Sequence, residues 1–297
     1  MPVNKIVTKV DGVINKTINF NDLKAGLAAG SHTITVEAYN GATLISTQTK
    51  NITIAEGAAA GADYQAVLDY ATAQSIDLPD SAQQSIDNQL LIDYKATGAW
   101  VKDDCFMKFT GTATPAFKLI DWKRLITMVA YGSLTWSTTG AKGNGANAYI
   151  DTKYIASATG NKWVIDNAGI MVGLNSFGTT SGSFTGAKDI GGPQTRLYIS
   201  QTDDDYFTIN NVGASRNNLI LGLNGLYLNA TDTDTAAITD DTILTALTAQ
   251  TVPEQELYLF AWRRDNIAQL FTDVEITYVT YGADKRAEHA AMKTVLE

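Results

Sequence analysis

Asp273 and Glu275 stand two apart in a run that alternates like a strand, Phe271-Thr-Asp273-Val-Glu275-Ile-Thr-Tyr278. Residues at that spacing on a strand share a face, so the pattern predicts two carboxyls side by side. Such a pair could serve as acid and base on a glycosidic bond; a surface-facing polar pair on a strand is the better reading. His32, His289 and the single Cys105 belong to no nucleophile or metal motif. A Ser-His-Asp relay needs a base oriented by a third group, and a zinc site needs several Cys or His ligands. Gly140-Ala-Lys-Gly143-Asn-Gly145 has the glycine content of a phosphate-cradling loop, but its spacing matches neither G-x-G-x-x-G nor G-x-x-x-x-G-K-[ST]. It reads as a turn.

Acidic clusters at Asp203-Asp204-Asp205, at Asp232 with Asp234 and at Asp240-Asp241 offer hard oxygen donors. Asp203, Asp205, Asp232 and Asp234 are the candidate ligands for Ca2+, the one cofactor the sequence raises. They form no EF-hand: Ala236 takes the next ligand place, and no glycine or closing Glu follows at the required offsets. The alternative is a set of solvated turns that add charge. Of the five tryptophans, Trp100, Trp122, Trp136, Trp163 and Trp262, most are expected in the core. Trp262 closes the apolar run Leu257-Tyr-Leu-Phe-Ala-Trp262, which reads as a central strand. Trp163 follows Gly160-Asn-Lys162 and is expected on a loop, where an indole can stack on a sugar ring. Trp163, Asp203, Asp204, Asp205 and Tyr206 are therefore the candidate ligand-binding residues, and no catalytic residue is assigned.

The elements that must carry these residues are mainly strands. His32, Ile34, Val36 and Ala38 alternate with Thr33, Thr35, Glu37 and Tyr39, the period of a half-buried strand. Asn40-Gly41 suits the following hairpin turn. Four short strands, 5–10, 13–20, 31–39 and 42–54, make residues 1–55 a small immunoglobulin-like β-module. Ala55 to Gly61 has nothing to bury and reads as a linker. Within 56–98 come two helices. Asp63 is expected to cap the first, with Tyr64, Val67, Leu68 and Ala71 on its inner face. Ser81 and Gln84 suggest a capping box for the second, with Ile86, Leu90, Leu91 and Tyr94 inward and Gly98 closing it.

From residue 99 to 297 short strands return, broken by glycine-rich stretches at 140–147, 178–186 and 191–192 and by a hairpin at Asn224-Gly225. This predicts a mainly β chain whose larger domain is a jelly-roll sandwich. A short C-terminal helix is expected from Asp284, with Ala287, Ala291, Met292 and Val295 inward. The 297 residues suffice for such a core without disulfides or metal. A net charge of -9 argues against nucleic acid as a partner, since phosphate binding needs clustered cations. No run approaches the roughly 18 apolar residues of a membrane span, and the first residues lack a signal-peptide core, so synthesis in a cytoplasm and no membrane partner are expected.

The segments Leu78-Pro79-Asp-Ser-Ala-Gln-Gln84, Asn88-Gln-Leu-Leu-Ile-Asp-Tyr-Lys95 and Gly98-Ala-Trp-Val-Lys102 resemble a helical lead-in of virion proteins from tailed phages of the crAss-like and Bacteroidetes type. In those proteins a laminin-G-like, concanavalin-A-like sandwich follows. Its landmarks here look like Phe117-Lys-Leu-Ile-Asp-Trp122, Gly143 to Asp151, Leu223-Asn-Gly225, Leu257 to Ala261, Val274 to Tyr278 and Tyr281 to His289. The likeness spans about 76–297 and omits the calcium-site acids of laminin-G domains. Sandwich glucanases carry a further Glu two residues before the Asp of their acidic strand; Phe271 holds that place here. The resemblance implies a non-enzymatic virion structural protein, a head or tail fibre or a capsid-decorating protein, displayed on the virion surface. Its implied partners are other capsid or tail proteins, copies of itself in a homo-oligomer such as a trimer, and host-surface polysaccharide. A bacterial cell-surface lectin or adhesin, and a glycoside hydrolase, are the alternatives.

Overall fold

A computed structural model describes residues 5–10, 13–15, 30–40, 43–54, 61–165, 167–176, 178–189, 194–199, 206–211, 226–231, 236–239, 242–245 and 252–296, with backbone alone for the strands at 5–54 and 206–245. The chain divides into two units, Met1–Ala62 with Asp80–Gln89, and Asp63–Pro79 with Leu90–Glu297. In the first unit Lys5–Val10 lies between Val13–Asn15 and Gly30–Asn40, and Thr43–Ile54 completes a four-stranded antiparallel sheet. Asn40 pairs with Thr43, so strand pairing runs one residue further towards the turn than expected. A register shift between Ala38 and Tyr39 accompanies that displacement. The expected turn at Asp11-Gly12 lies outside the described residues.

The helices span Ala62–Ala73 and Ser81–Ala96. The first buries Tyr64, Val67, Leu68 and Ala71, as its spacing predicts. Asp63 is not its cap: it lies in the first turn, where a carboxylate suits the helix dipole, and pairs with Lys95. In the second helix the cap is Asp80, one residue before Ser81, because the Asp80 Oδ1 atom accepts the Gln83 N–H at 2.8 Å. Its buried face also differs from expectation. Leu91 and Tyr94 are inside with Gln83, Asp87 and Asn88, while Ile86 is 45% exposed. Gln83, Asp87 and Asn88 follow a helical period as good as the apolar one, and Gln83 Nε2 donates to Asp87 Oδ1 at 2.6 Å, which makes their burial affordable. Gly98 adopts φ +84° past the helix end, as predicted.

In the second unit the first sheet runs Thr242–Thr245, Ala236–Thr239, Leu226–Thr231, Ala168–Ser176, Glu275–Gly282, Asp103–Lys108, Ile120–Asp121 and Ile126–Thr127. The second runs Tyr206–Asn211, Gln194–Ile199, Gly182–Lys188, Glu256–Leu259, Tyr149–Ile155 and Val129–Tyr131. Every one of these neighbour pairs is antiparallel. Met107, Ile170, Val172, Ile276 and Val279 of the first sheet share one core with Ile150, Phe184, Leu257 and Leu259 of the second. The two layers therefore stack as a β-sandwich, with each large side chain contributing about 1.5–3 kcal/mol through burial.

Three expectations on this unit are corrected. The run Leu257 to Trp262 is no single strand: Phe260 takes φ +63° and breaks it, and Trp262–Arg264 forms a separate hairpin arm with Ile267–Gln269. Gly182 to Gly186 is a strand rather than a break; a Cβ on Gly182 would stand 2.2 Å from the Phe271 carbonyl oxygen, so glycine there permits close strand contact. In the terminal helix His289–Leu296 the buried residues are His289, Met292 and Leu296, while Ala287 and Ala291 face out, because a 3-10 turn at Arg286–Glu288 rotates the face. The expected Asn224-Gly225 turn and the Gly191-Gly192 break lie outside the described residues.

Arg124 joins the two sheets. It pairs with the buried Asp121 at 2.6 Å and donates to the carbonyls of Thr152 at 2.6 Å and Lys153 at 2.9 Å. A register shift between Asp151 and Ile155 takes that stretch out of the regular ladder, and the guanidinium satisfies carbonyls there. An Arg124→Met variant is expected to lose about 3 kcal/mol in chemical denaturation, since it strands the Asp121 carboxylate in the interior. Unchanged stability would show that the link is dispensable.

Candidate functional site

On the strand Tyr149–Ile155, Ile150, Thr152 and Tyr154 are buried, and the alternation leaves Tyr149, Asp151 and Lys153 on the other face. Register places Tyr131 opposite Tyr149 and Tyr258 opposite Asp151. The outer surface of the second sheet thus gathers three tyrosines. Tyr131 and Tyr149 stack with centroids 4.7 Å apart at 13°, and Tyr149 and Tyr258 at 4.8 Å and 24°. That separation is the spacing between neighbouring strands, so the backbone sets the ring distance. Phe271 tilts against Tyr149 at 6.2 Å. Tyr131 ends the stack, 44% exposed, with one ring face covered by Tyr149.

Polar groups flank the rings. The Arg263 guanidinium lies 5.3 Å from the centre of the Tyr258 ring and pairs with Glu256. Burial, then the Asp151 carboxylate and the neighbouring tyrosines, push the Tyr258 hydroxyl up to about 12. Burial, Tyr131 and Asp151 raise Tyr149 as well. Both hydroxyls stay protonated at neutral pH and can donate. The row continues through Gly186, which pairs with Tyr258 on one side and Arg196 on the other. Trp262 covers that glycine, with Arg196 at 4.4 Å, Arg264 at 5.5 Å and Lys188 at 5.8 Å from its ring. An open aromatic face, phenol donors, a carboxylate and a guanidinium on one sheet surface suit a polyhydroxylated ring. The ring's C–H face stacks while its hydroxyls find charged partners.

The expected carboxyl pair is arranged differently. Asp273 precedes the strand that begins at Glu275. Its Oδ2 accepts from Thr179 N at 2.9 Å and Thr179 Oγ1 at 3.1 Å, and its Oδ1 from Thr180 N at 2.8 Å. Gly178 permits this clamp, because a Cβ there would fall 1.9 Å from Asp273 Oδ1. Glu275 accepts from Ser137 Oγ at 2.8 Å, Thr139 Oγ1 at 2.7 Å and Asn175 Nδ2 at 2.9 Å. Burial raises both carboxyls, but these donors outweigh it and leave each below its ordinary range. Two carboxylates held ionised by separate loops are acceptors, and neither is poised as a proton donor.

Trp163, expected at a loop rim, is 2% exposed and packs beside Tyr154 and Tyr281. The local glycine predicts the loop correctly, but Asp104 accepts the Lys162 and Trp163 amides and draws the indole inward. Trp100, Trp122 and Trp262 are buried as expected. Asp203, Asp204, Asp205, Asp232 and Asp234 lie outside the described residues, as does the Tyr206 side chain. Among the described residues no three His, Cys, Asp or Glu side chains gather to hold a metal ion. The Gly140 to Asn147 turn holds no open amide cradle: Asn144 Oδ1 accepts the amides of Ala146, Asn147 and Ala148, and Gly143 and Gly145 donate to Val274 and Thr272. The tyrosine row was missed although its signal is visible, since Tyr149 shares a strand face with Asp151 and Lys153.

No family model and no curated protein matches the chain. Among solved structures it is similar to domain 4 of AbnA, a GH43 extracellular arabinanase from Geobacillus stearothermophilus in complex with arabinotriose, at 8% identity and TM-score 0.43, covering 66% of this chain and 98% of that one. It is similar to the apo Crh5 transglycosylase at 12% identity and TM-score 0.39, covering 65% and 91%. A third is an alginate lyase from Corynebacterium sp., at 11% identity and TM-score 0.28, covering 61% and 92%. Likenesses of this size carry no chemistry to this chain, and the sandwich rests on its own strand pairing and core.

The loop clamps set an acid dependence. Asp273 and Glu275 have folded pKa values below their unfolded ones, so their contribution is fully present above about pH 5 and is lost as pH falls through the folded values. An Asp273→Asn, Glu275→Gln variant is expected to be less stable at pH 7 and to show a shallower acid limb in thermal melts between pH 5 and 2. Parallel acid limbs for variant and parent would refute the clamps.

Proposed function

We propose that this protein is a glycan-binding β-sandwich whose ligand lies along the tyrosine row of the second sheet. The observation that supports it is the exposed end of a register-locked stack, Tyr131 on Tyr149 on Tyr258, flanked by Asp151 and Arg263. The stack is assembled before any ligand arrives, so binding pays little to order it. A chain of sugar rings laid across the strands would meet Tyr131 with its C–H face and the phenols with its hydroxyls.

The reading extends to biology. The protein serves as a phage structural component, a fibre or capsid-decorating protein, that holds the sandwich toward host-surface polysaccharide. A shallow face of this kind binds weakly, and many copies on one particle, or within a homo-oligomer, supply avidity. The role is binding rather than turnover.

Tyr131→Ala is expected to weaken the affinity for a binding polysaccharide by about tenfold, the equivalent of about 1.4 kcal/mol, in affinity electrophoresis and calorimetry against a panel of neutral glycans. Because Tyr131 lies at the surface end of the stack, the melting temperature is expected to hold. Binding that survives Tyr131→Ala combined with Tyr149→Ala would move the ligand elsewhere. Particle association is tested by immunoblot of purified virions.

A further inference from the structure

Asp103 and Lys285 are both 0% exposed, and Lys285 Nζ lies 2.8 Å from Asp103 Oδ1. An ammonium and a carboxylate taken this far from water offset their desolvation only through well-aligned hydrogen bonds. This pair lacks that alignment. Asp103 Oδ1 has no well-aligned hydrogen bond among the described residues, and Nζ also donates at 3.4 Å to the Ala283 carbonyl. Burial holds the Asp103 carboxyl above its ordinary range despite the opposing pull of Lys285.

The other carboxyl oxygen is also engaged. Tyr94 donates its hydroxyl to Asp103 Oδ2 at 2.8 Å and sits among Trp100, Phe106 and Met292. Burial, and then Asp103, keep that phenol protonated far beyond neutral pH. A lysine, a carboxyl group and a hydroxyl donor are thus fixed in contact in the buried interior. We infer that Lys285 and Asp103 condense into an intramolecular amide, with the Tyr94 hydroxyl polarising the carbonyl.

The step balances without a co-reactant. Nζ passes one proton to Oδ1, the carboxyl oxygen it touches, and attacks Asp103 Cγ; a second Nζ proton follows, and the Cγ–Oδ1 bond breaks as the Nζ–Cγ amide bond is completed, so that Oδ1 leaves as water. Oδ2 remains as the amide carbonyl oxygen, with the Tyr94 hydroxyl donating to it. Fixed contact replaces the collision that makes amide formation slow in solution. The bond suits the topology. Asp103 opens a central strand of the first sheet and pairs with Gly282 at the end of the strand that precedes Lys285. An amide here closes residues 103–285 into a ring that encloses almost the whole sandwich. Tension applied outside that ring would bypass the sheets.

The test is the intact mass of the purified, folded chain under denaturing conditions. The expected mass is lighter than the sequence by one water, and trypsin is expected to yield a branched peptide joining residues 103–108 to 265–286, with Lys285 uncleaved. Tyr94→Phe keeps the ring and is expected to leave a mixture of linked and unlinked chains that shifts toward linked over days. A full-length mass without loss, with trypsin cutting after Lys285, would overturn the cross-link and leave an ion pair. Complete linkage in Tyr94→Phe would overturn the part assigned to the phenol. Neither outcome depends on glycan binding.

Discussion

A buried carboxylate has to find donors, and in this sandwich three of them lie within or beside one strand. Asp103 meets Tyr94 and Lys285, Asp104 meets the Tyr154 hydroxyl and the amides of Lys162 and Trp163, and Asp121 meets Arg124 and the Phe106 amide. The donors to Asp103 and Asp104 come from distant parts of the chain, the lead-in helix, the segment after the last strand, the second sheet and its following loop, whereas Asp121 is met by Arg124 three residues on and by an amide of the neighbouring strand. An unsatisfied carboxylate in the interior costs several kcal/mol. Tyr154 extends the constraint across the core by stacking on Tyr281 at 5.2 Å, and Tyr281 in turn bonds Thr185 at 2.8 Å.

The outer face of the second sheet follows from that rigidity. Tyr149 belongs to the strand whose inward residues, Ile150, Thr152 and Tyr154, are held by core packing, by Thr152 donating to the Leu257 carbonyl and by the Asp104 contact. With the inner side immobile, the outward residues keep their register. The tyrosines then stand at strand spacing with no further device. The hairpin from Trp262 to Gln269 supplies the polar border by reaching back over Tyr258 with Arg263. A site of this kind is made by pairing across strands distant in sequence, and its polar members, Asp151 and Arg263, lie more than a hundred residues apart in the chain.

Several elements were legible in advance because their signals are local. The alternation in 31–39, the inner face of the first helix and the αL glycine at Gly98 rest on backbone preferences and a single burial period. Errors arose where two local readings were equally good. The second helix carries an apolar stripe through Ile86 and a polar one through Gln83 and Asp87, and hydrogen bonding let the polar one go inside. The run at Leu257 to Trp262 looks continuous because a backbone reversal at Phe260 leaves no mark on composition. Trp163 follows a loop signal, yet exposure is decided by the Asp104 carboxylate far earlier in the chain.

What the sequence by itself determined is the class of structure: strand periodicity, turn-forming glycines and apolar residues at helical spacing define a mainly β chain with a short helical lead-in. What only the tertiary structure decided is which polar residues are inside and which aromatic residues are outside together. Strand order and register bring Tyr131, Tyr149 and Tyr258 into one stack, and close packing brings Lys285 against Asp103. The physical reason is that period and propensity act over a few residues, whereas pairing across strands and the satisfaction of buried charge depend on partners that the chain supplies a hundred or more positions away.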